Sequence, residues 1–193
     1  MAYTPKILAF AGSTRKESFN KKLIKIAADA ARNALAQVTF LDLRDIPMPL
    51  YDGDLEAEQG IPENGKKFKA ILLAHDGLLI SAPEYNSSIS GVLKNAIDWA
   101  SRPVVGEPPL ACFAGKIVTL MSASPGALGG LRGLVAVRSL LSNIGVIVLP
   151  TQVAVPQAHN AFGPDGKLKD PKQQDSIESL GRDLVGFLIK LKG

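Results

Sequence analysis

Residues 12–20 read Gly-Ser-Thr-Arg-Lys-Glu-Ser-Phe-Asn, and most of them offer something an anion can use. Ser13, Thr14 and Ser18 carry hydroxyl donors, and Asn20 carries an amide. Arg15 adds a planar, permanently charged fork suited to phosphate oxygens. A helix starting near Ser18 would contribute free backbone N–H groups and the positive end of its dipole. Charge-assisted hydrogen bonds are worth about 1.5–3 kcal/mol each, so a few of them hold a phosphomonoester dianion without a metal. Helix capping by Ser18 accounts for one residue of the segment and leaves the density of donors unexplained.

Two other segments have a similar character. Residues 83–91 are Pro-Glu-Tyr-Asn-Ser-Ser-Ile-Ser-Gly. Pro83 stiffens a turn whose backbone groups, left out of a sheet, can read the edge of a planar heterocycle, and Tyr85 offers an amphipathic ring beside it. Capping of the next helix by Ser87 or Ser88 explains only part of this segment. Residues 122–130 are Ser-Ala-Ser-Pro-Gly-Ala-Leu-Gly-Gly. Small side chains there permit close backbone approach, and Ser122 and Ser124 can donate. Competing phosphate chemistries are excluded by residue type. Neither G-x-x-x-x-G-K-[ST] nor a G-x-G-x-x-G after the first strand is present. The first loop has no cysteine to attack phosphorus, so it holds phosphate rather than cleaving it.

The elements that must position these loops follow from hydropathy. Short apolar runs at 6–11, 37–42, 78–82, 116–122 and 146–149 predict strands. Helical spacing of apolar residues covers 18–36, 66–74, 90–101, 131–143 and 171–191. Residues 44–65, rich in Pro, Gly, Asp and Glu, read as a long loop, and loops of that length are often functional. Strands that are nearly continuous apolar runs have both faces covered. The expected architecture is α/β: a doubly wound, five-stranded parallel sheet with helices on both faces, in one domain spanning 1–193. Ligands bind such sheets beyond the carboxyl ends of the strands, where strand order reverses. The three polar loops follow the first, third and fourth strands, which the topology makes neighbours, so the loops converge.

Composition narrows the partners. The chain has 193 residues, 46% hydrophobic and 21% charged, which is globular rather than disordered. Its net charge is 22 − 18 = +4, with no basic stripe interleaved with aromatics, so no nucleic-acid partner is expected. One cysteine, Cys112, and two distant histidines, His75 and His159, exclude a disulfide framework and argue against a metal centre. The histidines read as ordinary satisfied polar positions. No apolar run approaches the ~18 residues of a membrane helix, so no membrane partner is expected and the location is cytoplasmic. Val92, Leu93, Ala96, Ile97, Trp99 and Ala100 give one helix an unusually wide apolar face, which points to burial on two sides or to a subunit contact.

Residues 12–20 resemble the G-S-x-R-x-x-S-x-N phosphate loop of NADPH-dependent FMN reductases. Residues 83–99, Pro-Glu-Tyr-Asn-Ser-Ser-Ile-Ser-Gly-Val-Leu-Lys-Asn-Ala-Ile-Asp-Trp, resemble that family's P-E-Y-N-x-S-x-P-G-x-L-K-N-A-I-D-W signature. The likeness keeps its order and spacing from the first strand to the Gly129-Gly130 turn. It implies a flavodoxin-like fold, bound FMN, a homodimer or homotetramer, and NAD(P)H as hydride donor. The small-molecule electron acceptor would be a quinone, azo compound, metal oxyanion or free flavin. Carried over by position, Ser13, Arg15, Ser18 and Asn20 hold the phosphate, with Phe19 among them. Pro83, Glu84, Tyr85 and Asn86 border the isoalloxazine ring, and Ser122 and Ser124 flank it. The implied scheme is ping-pong, with no obligate catalytic side chain. Tyr51 and Asp52 either shape the mouth of the site or form an ordinary surface turn. Ser90 stands where the family has proline, which predicts a looser ring-side loop. Two alternatives are a flavodoxin-like electron carrier, disfavoured by the positive charge, and a non-enzymatic flavin-sensing module.

Overall fold

Successive residues of the first strand serve two different cores. In β1 (Lys6–Ala11), Ile7, Ala9 and Ala11 face one buried cluster, while Leu8 and Phe10 face the other. The same alternation runs through β3 (Gly77–Ser81) and β6 (Ile117–Ala123), where Val118 and Leu120 oppose Met121 and Ala123. Strands wetted on neither face build a parallel sheet sandwiched between helices. With β2 (Gln37–Asp42) and β7 (Ile147–Val155), the parallel sheet has the order β2-β1-β3-β6-β7. The computed structural model describes residues 3–192. One layer contains α1 (Phe19–Asn33) and α7 (Pro171–Lys192), and the other α3 (Glu63–Leu73), α4 (Gly91–Ala100) and α5 (Leu131–Asn143). No helix among the described residues is long and apolar enough to cross a membrane.

The stretch expected as a long loop holds more structure than its composition suggests. A 3₁₀ turn at Leu43–Asp45 is followed by α2 (Gly53–Gln59), and α3 already begins at Glu63. Asp52 caps α2, accepting from the N–H groups of Asp54 and Leu55. Residues 83–91 also contain a small hairpin, β4 (Glu84–Tyr85) and β5 (Ser88–Ile89). Its two linking residues, Asn86 and Ser87, have positive φ values of 51° and 64°, the twist a two-residue hairpin requires. A short helix, α6 (Ala158–Ala161), follows β7.

The broad face of α4 is covered from within the chain. Trp99 is fully buried, its Nε1–H donates to the Pro49 carbonyl at 2.8 Å, and Tyr51 packs edge-on against its ring. Asn95 secures the same strap, donating to Pro49 O and accepting from Tyr51 N–H at 2.7 Å. The apolar width of α4 therefore reflects coverage by residues 46–51, and the subunit contact inferred from it loses its basis.

Two buried side chains hold the carboxyl ends of the strands together. Asn20, at the start of α1, donates from Nδ2 to Ala123 O at 2.8 Å. Its Oδ1 accepts from Ala123 N–H at 3.0 Å and from the Ser81 hydroxyl at 2.8 Å. One amide thus fastens α1 to the ends of β3 and β6. Ser90 is the N-cap of α4: its Oγ accepts from Leu93 N–H at 3.1 Å and donates to Gly12 O at 2.6 Å. Gly12 must be glycine for this approach, since a Cβ there would lie 2.8 Å from the Leu93 Cβ.

Both ties have measurable worth. Replacing Asn20 with Ala leaves a buried backbone N–H and the Ser81 hydroxyl unpaired, so the unfolding free energy should fall by about 2–4 kcal/mol. Ser90→Ala should cost about 1–2 kcal/mol through the lost cap. The shift in denaturant midpoint at constant slope measures each loss.

Candidate functional site

Strand order reverses between β1 and β3, and the crevice there is formed by the loops after β1, β3 and β6. A cavity of about 170 Å³ is lined by Ser13, Arg15, Ser18, Phe19 and Asn20 from the first loop, Pro83, Glu84 and Tyr85 from the second, and Ala123, Ser124 and Pro125 from the third. The three segments singled out by residue type do converge. Ala123 and Pro125, which carry no polar side chain to mark them, are part of the lining.

The first-loop end of the cavity gathers hydroxyls, a guanidinium and the start of α1. Ser18 occupies the N-cap position of α1 but makes no side-chain capping bond, and the first helical turn contains no acid. The hydroxyl is therefore not used on the helix, and the helix end keeps its unneutralised N–H groups and positive dipole end. Ser13 accepts from Arg15 N–H at 3.3 Å, which curls the loop. Arg15 is exposed, with its guanidinium carbon 5.9 Å from the centre of the Phe19 ring. Lys21, one turn in, pairs with Asp42 at 2.6 Å and anchors α1 to the end of β2.

Several residues expected at the cofactor have different work. Asn20 reaches the cavity, but its amide is engaged by Ser81 and Ala123, so it organises the loops rather than offering itself as a phosphate ligand. Glu84 turns its carboxylate to α5, accepting from Gly133 N–H at 2.9 Å with Arg132 Nε at 3.5 Å; this anchors the hairpin. Asn86 is the exposed left-handed residue at the hairpin tip and does not line the cavity. Ser122 is fully buried, its hydroxyl has no hydrogen-bond partner, and it packs beneath Gly130 outside the lining. A Cβ at Gly130 would stand 2.0 Å from that oxygen, and φ there is 94°, which explains the glycine. Ser90 gives a hydrogen-bonded junction rather than the looser loop expected without proline.

Tyr51 and Asp52 do not line this cavity. Tyr51 donates its hydroxyl to Glu56 at 2.9 Å, and Arg102 Nε donates to the same carboxylate at 2.9 Å. The Arg102 hydrogen bond holds the Glu56 carboxyl below its ordinary range, while Glu56 pushes the Tyr51 phenol up. These contacts belong to the strap over α4: Tyr51 covers Trp99 and Asp52 caps α2, so neither an ordinary surface turn nor the mouth of this cavity describes them. A larger cavity of about 440 Å³ between α3 and the 103–107 segment has one buried cation, Lys69. Its three protons are taken by Ala100 O, Arg102 O and Glu107, so it presents no free donor. His75 is satisfied, with ring nitrogens 2.6 Å from Ile71 O and 2.7 Å from Thr39 Oγ1. Among the described residues no His/Cys/Asp/Glu cluster suited to a metal occurs.

Comparison with known proteins agrees with this arrangement. Residues 5–160 match the family described as NADPH-dependent FMN reductase. An NAD(P)H-dependent FMN reductase of Pseudomonas aeruginosa is 35% identical over 190 residues, covering 97% of each chain. A probable NADPH:quinone oxidoreductase of Oryza sativa subsp. japonica is 33% identical over 192 residues, covering 97% of this chain and 91% of the other. Among solved structures, a flavoenzyme NAD(P)H:(acceptor) oxidoreductase of Paracoccus denitrificans superposes with a TM-score of 0.81 at 29% identity, covering 97% of this chain and 98% of that one. An archaeal flavodoxin, 10% identical with a TM-score of 0.64 over 95% of this chain and 98% of its own, shares the fold alone. The sheet is flavodoxin-like, and with four-fifths of its length inside the family's pattern the chain belongs to the NADPH-dependent FMN reductase family.

Proposed function

We propose that the crevice holds FMN with its phosphate at residues 13–18, and that NAD(P)H and a quinone use the exposed side of the ring in turn. The observation that carries this reading is the start of α1. Ser18 stands at the cap position with its hydroxyl uncommitted, beside Ser13, Arg15 and a helix end without a neutralising acid. Uncapped helix N–H groups, two hydroxyls and a guanidinium form a donor set matched to a dianion. A dinucleotide fingerprint or a nucleophilic cysteine is absent from the loop, so its chemistry is retention of phosphate.

Bound there, FMN would supply two-electron chemistry: NAD(P)H gives up a hydride to become NAD(P)⁺, and that electron pair, with one further proton from solvent, reduces a quinone to the hydroquinone. The chain's own residues bind and orient. Ser13, Arg15 and Ser18 hold the phosphate, Phe19 packs behind Arg15, and Asn20 keeps the three loops in register. Pro83, Tyr85 and the backbone around them border the ring, with Ser124 on the opposite flank and Glu84 fixing the hairpin to α5. No side chain in the lining is needed as acid, base or nucleophile.

Quinone as acceptor is supported by the likeness to the Oryza sativa NADPH:quinone oxidoreductase. One domain over residues 1–193 and a cytoplasmic location, where NAD(P)H is supplied, complete the reading. A homodimer or homotetramer is supported by apolar side chains exposed beside the hairpin: Tyr85, Leu128, Leu131 and Val135.

Purified protein should be yellow with flavin absorption bands, and NADPH should bleach them within a stopped-flow mixing experiment; slow bleaching would favour an electron carrier. Arg15→Ala should weaken FMN about ten- to a hundredfold and riboflavin little, since only FMN carries the phosphate. Equal loss for both ligands overturns the phosphate assignment. Light scattering should give a mass at least twice 20.4 kDa, and a stable monomer with bound FMN removes the oligomer.

A further inference from the structure

Arg15 projects from an exposed loop with little to fix it. Among the described residues it has no carboxylate partner, and its one side-chain hydrogen bond, Nη2 to Glu17 O, is long at 3.4 Å. A side chain this free loses considerable rotamer entropy when it orders on a ligand. The contact that does orient it is the Phe19 ring, 5.9 Å from the guanidinium carbon. Phe19 is itself placed by another ring. Phe162 lies parallel to it, with 5° between the planes and 6.2 Å between centroids.

Phe162 is held firmly. It bridges Leu168 in antiparallel fashion, Leu168 is buried in the α1–α7 core, and Gly163 N–H donates to Lys167 O at 2.8 Å. Just upstream, Ala158 N–H donates to Ser124 O at 3.0 Å and Gln157 N–H to Gly126 O at 3.3 Å, so the segment is also fastened to the third site loop. Phe162 lies beyond residues 5–160, the part of the chain that matches the family pattern.

We propose that Phe162 is a positioning residue for Arg15: through the Phe19 ring it braces the guanidinium at the phosphate end of the site, linking the segment after β7 to the first loop. The proposal rests on the reading of residues 13–18 as the phosphate cradle. Its consequence is a selective one. Removing the brace penalises a ligand that carries the phosphate and spares one that does not.

The test is titration of the flavin-stripped protein with FMN and with riboflavin, followed by flavin fluorescence, for the wild type, Phe162→Leu, Phe162→Tyr, Arg15→Ala and the Arg15→Ala/Phe162→Leu pair. Leucine keeps the apolar bulk that the fold needs and removes the aromatic plane. Phe162→Leu should lower the preference for FMN over riboflavin about three- to tenfold. Phe162→Tyr should restore it, and in the Arg15→Ala background Phe162→Leu should change it no further. Equal weakening of both flavins by Phe162→Leu, or an unchanged preference while Arg15→Ala abolishes it, overturns the brace and leaves the cradle standing. A preference that survives Arg15→Ala overturns the cradle itself, and the brace with it.

Discussion

Asn20 joins three pieces of chain that the sequence keeps far apart. Its amide meets the backbone of Ala123 twice and the hydroxyl of Ser81 once, all in a place that water does not reach. A parallel sheet brings its strand ends to one edge but leaves the loops there free to diverge, since strand pairing stops at the last ladder bond. Asn20 continues that pairing with a side chain beyond the point where the backbone can. Because an unpaired group in such surroundings is costly, the arrangement is nearly all-or-none. Everything built at the crevice, from the start of α1 to the turn that carries Ser124, inherits its register from this amide.

The electrostatics of the site come from omission as much as from charge. The helix that opens the first loop has neither a capping side chain nor an acid in its first turn, and its nearby lysine is neutralised by Asp42 at the edge of β2. Arg15 is the cation left to project at the cavity. By contrast, the start of α5 is satisfied from within, by Glu84. Two helix ends on one rim thus have opposite fates, one open to an anionic guest and one closed by the protein's own carboxylate. Of the two, only the first offers unused donors at the crevice.

The strands, five principal helices and convergence of the three loops were legible in the sequence, because apolar alternation and helical spacing report burial directly. The density of donors between Ser13 and Asn20 was legible for the same reason: residue type states what a side chain can offer. What a side chain is actually used for was not. Asn20 and Glu84 look like ligand-binding groups, yet both serve protein neighbours distant in sequence, a choice only the tertiary structure makes. Ser122 looks like a donor but lies on the wrong side of Gly130. The hairpin at 84–89 had a weak local signal, since asparagine tolerates the left-handed geometry of Asn86. Short α2 was hidden by the Gly and acidic residues of its segment, and Phe162 by the absence of any local feature that would set it apart from a core aromatic. The width of α4 was legible as burial on two sides or a subunit contact; which cover it meets was not, because Pro49 and Tyr51 fold back over it from a segment that composition marks as loop.

The junction at Ser90 is a hydrogen bond made by a side chain rather than a torsion fixed by a ring. A proline ring restrains its own backbone and the residue before it, but ties no second segment of chain to them. A serine hydroxyl restrains two backbones at once, at the base of the first loop and at the head of α4, but only while the bond is made. The two halves of the crevice in this chain therefore share one latch. The base of the first loop and the head of α4 thus hang on one oxygen atom, so a change of side chain at position 90 reaches both walls of the crevice at once.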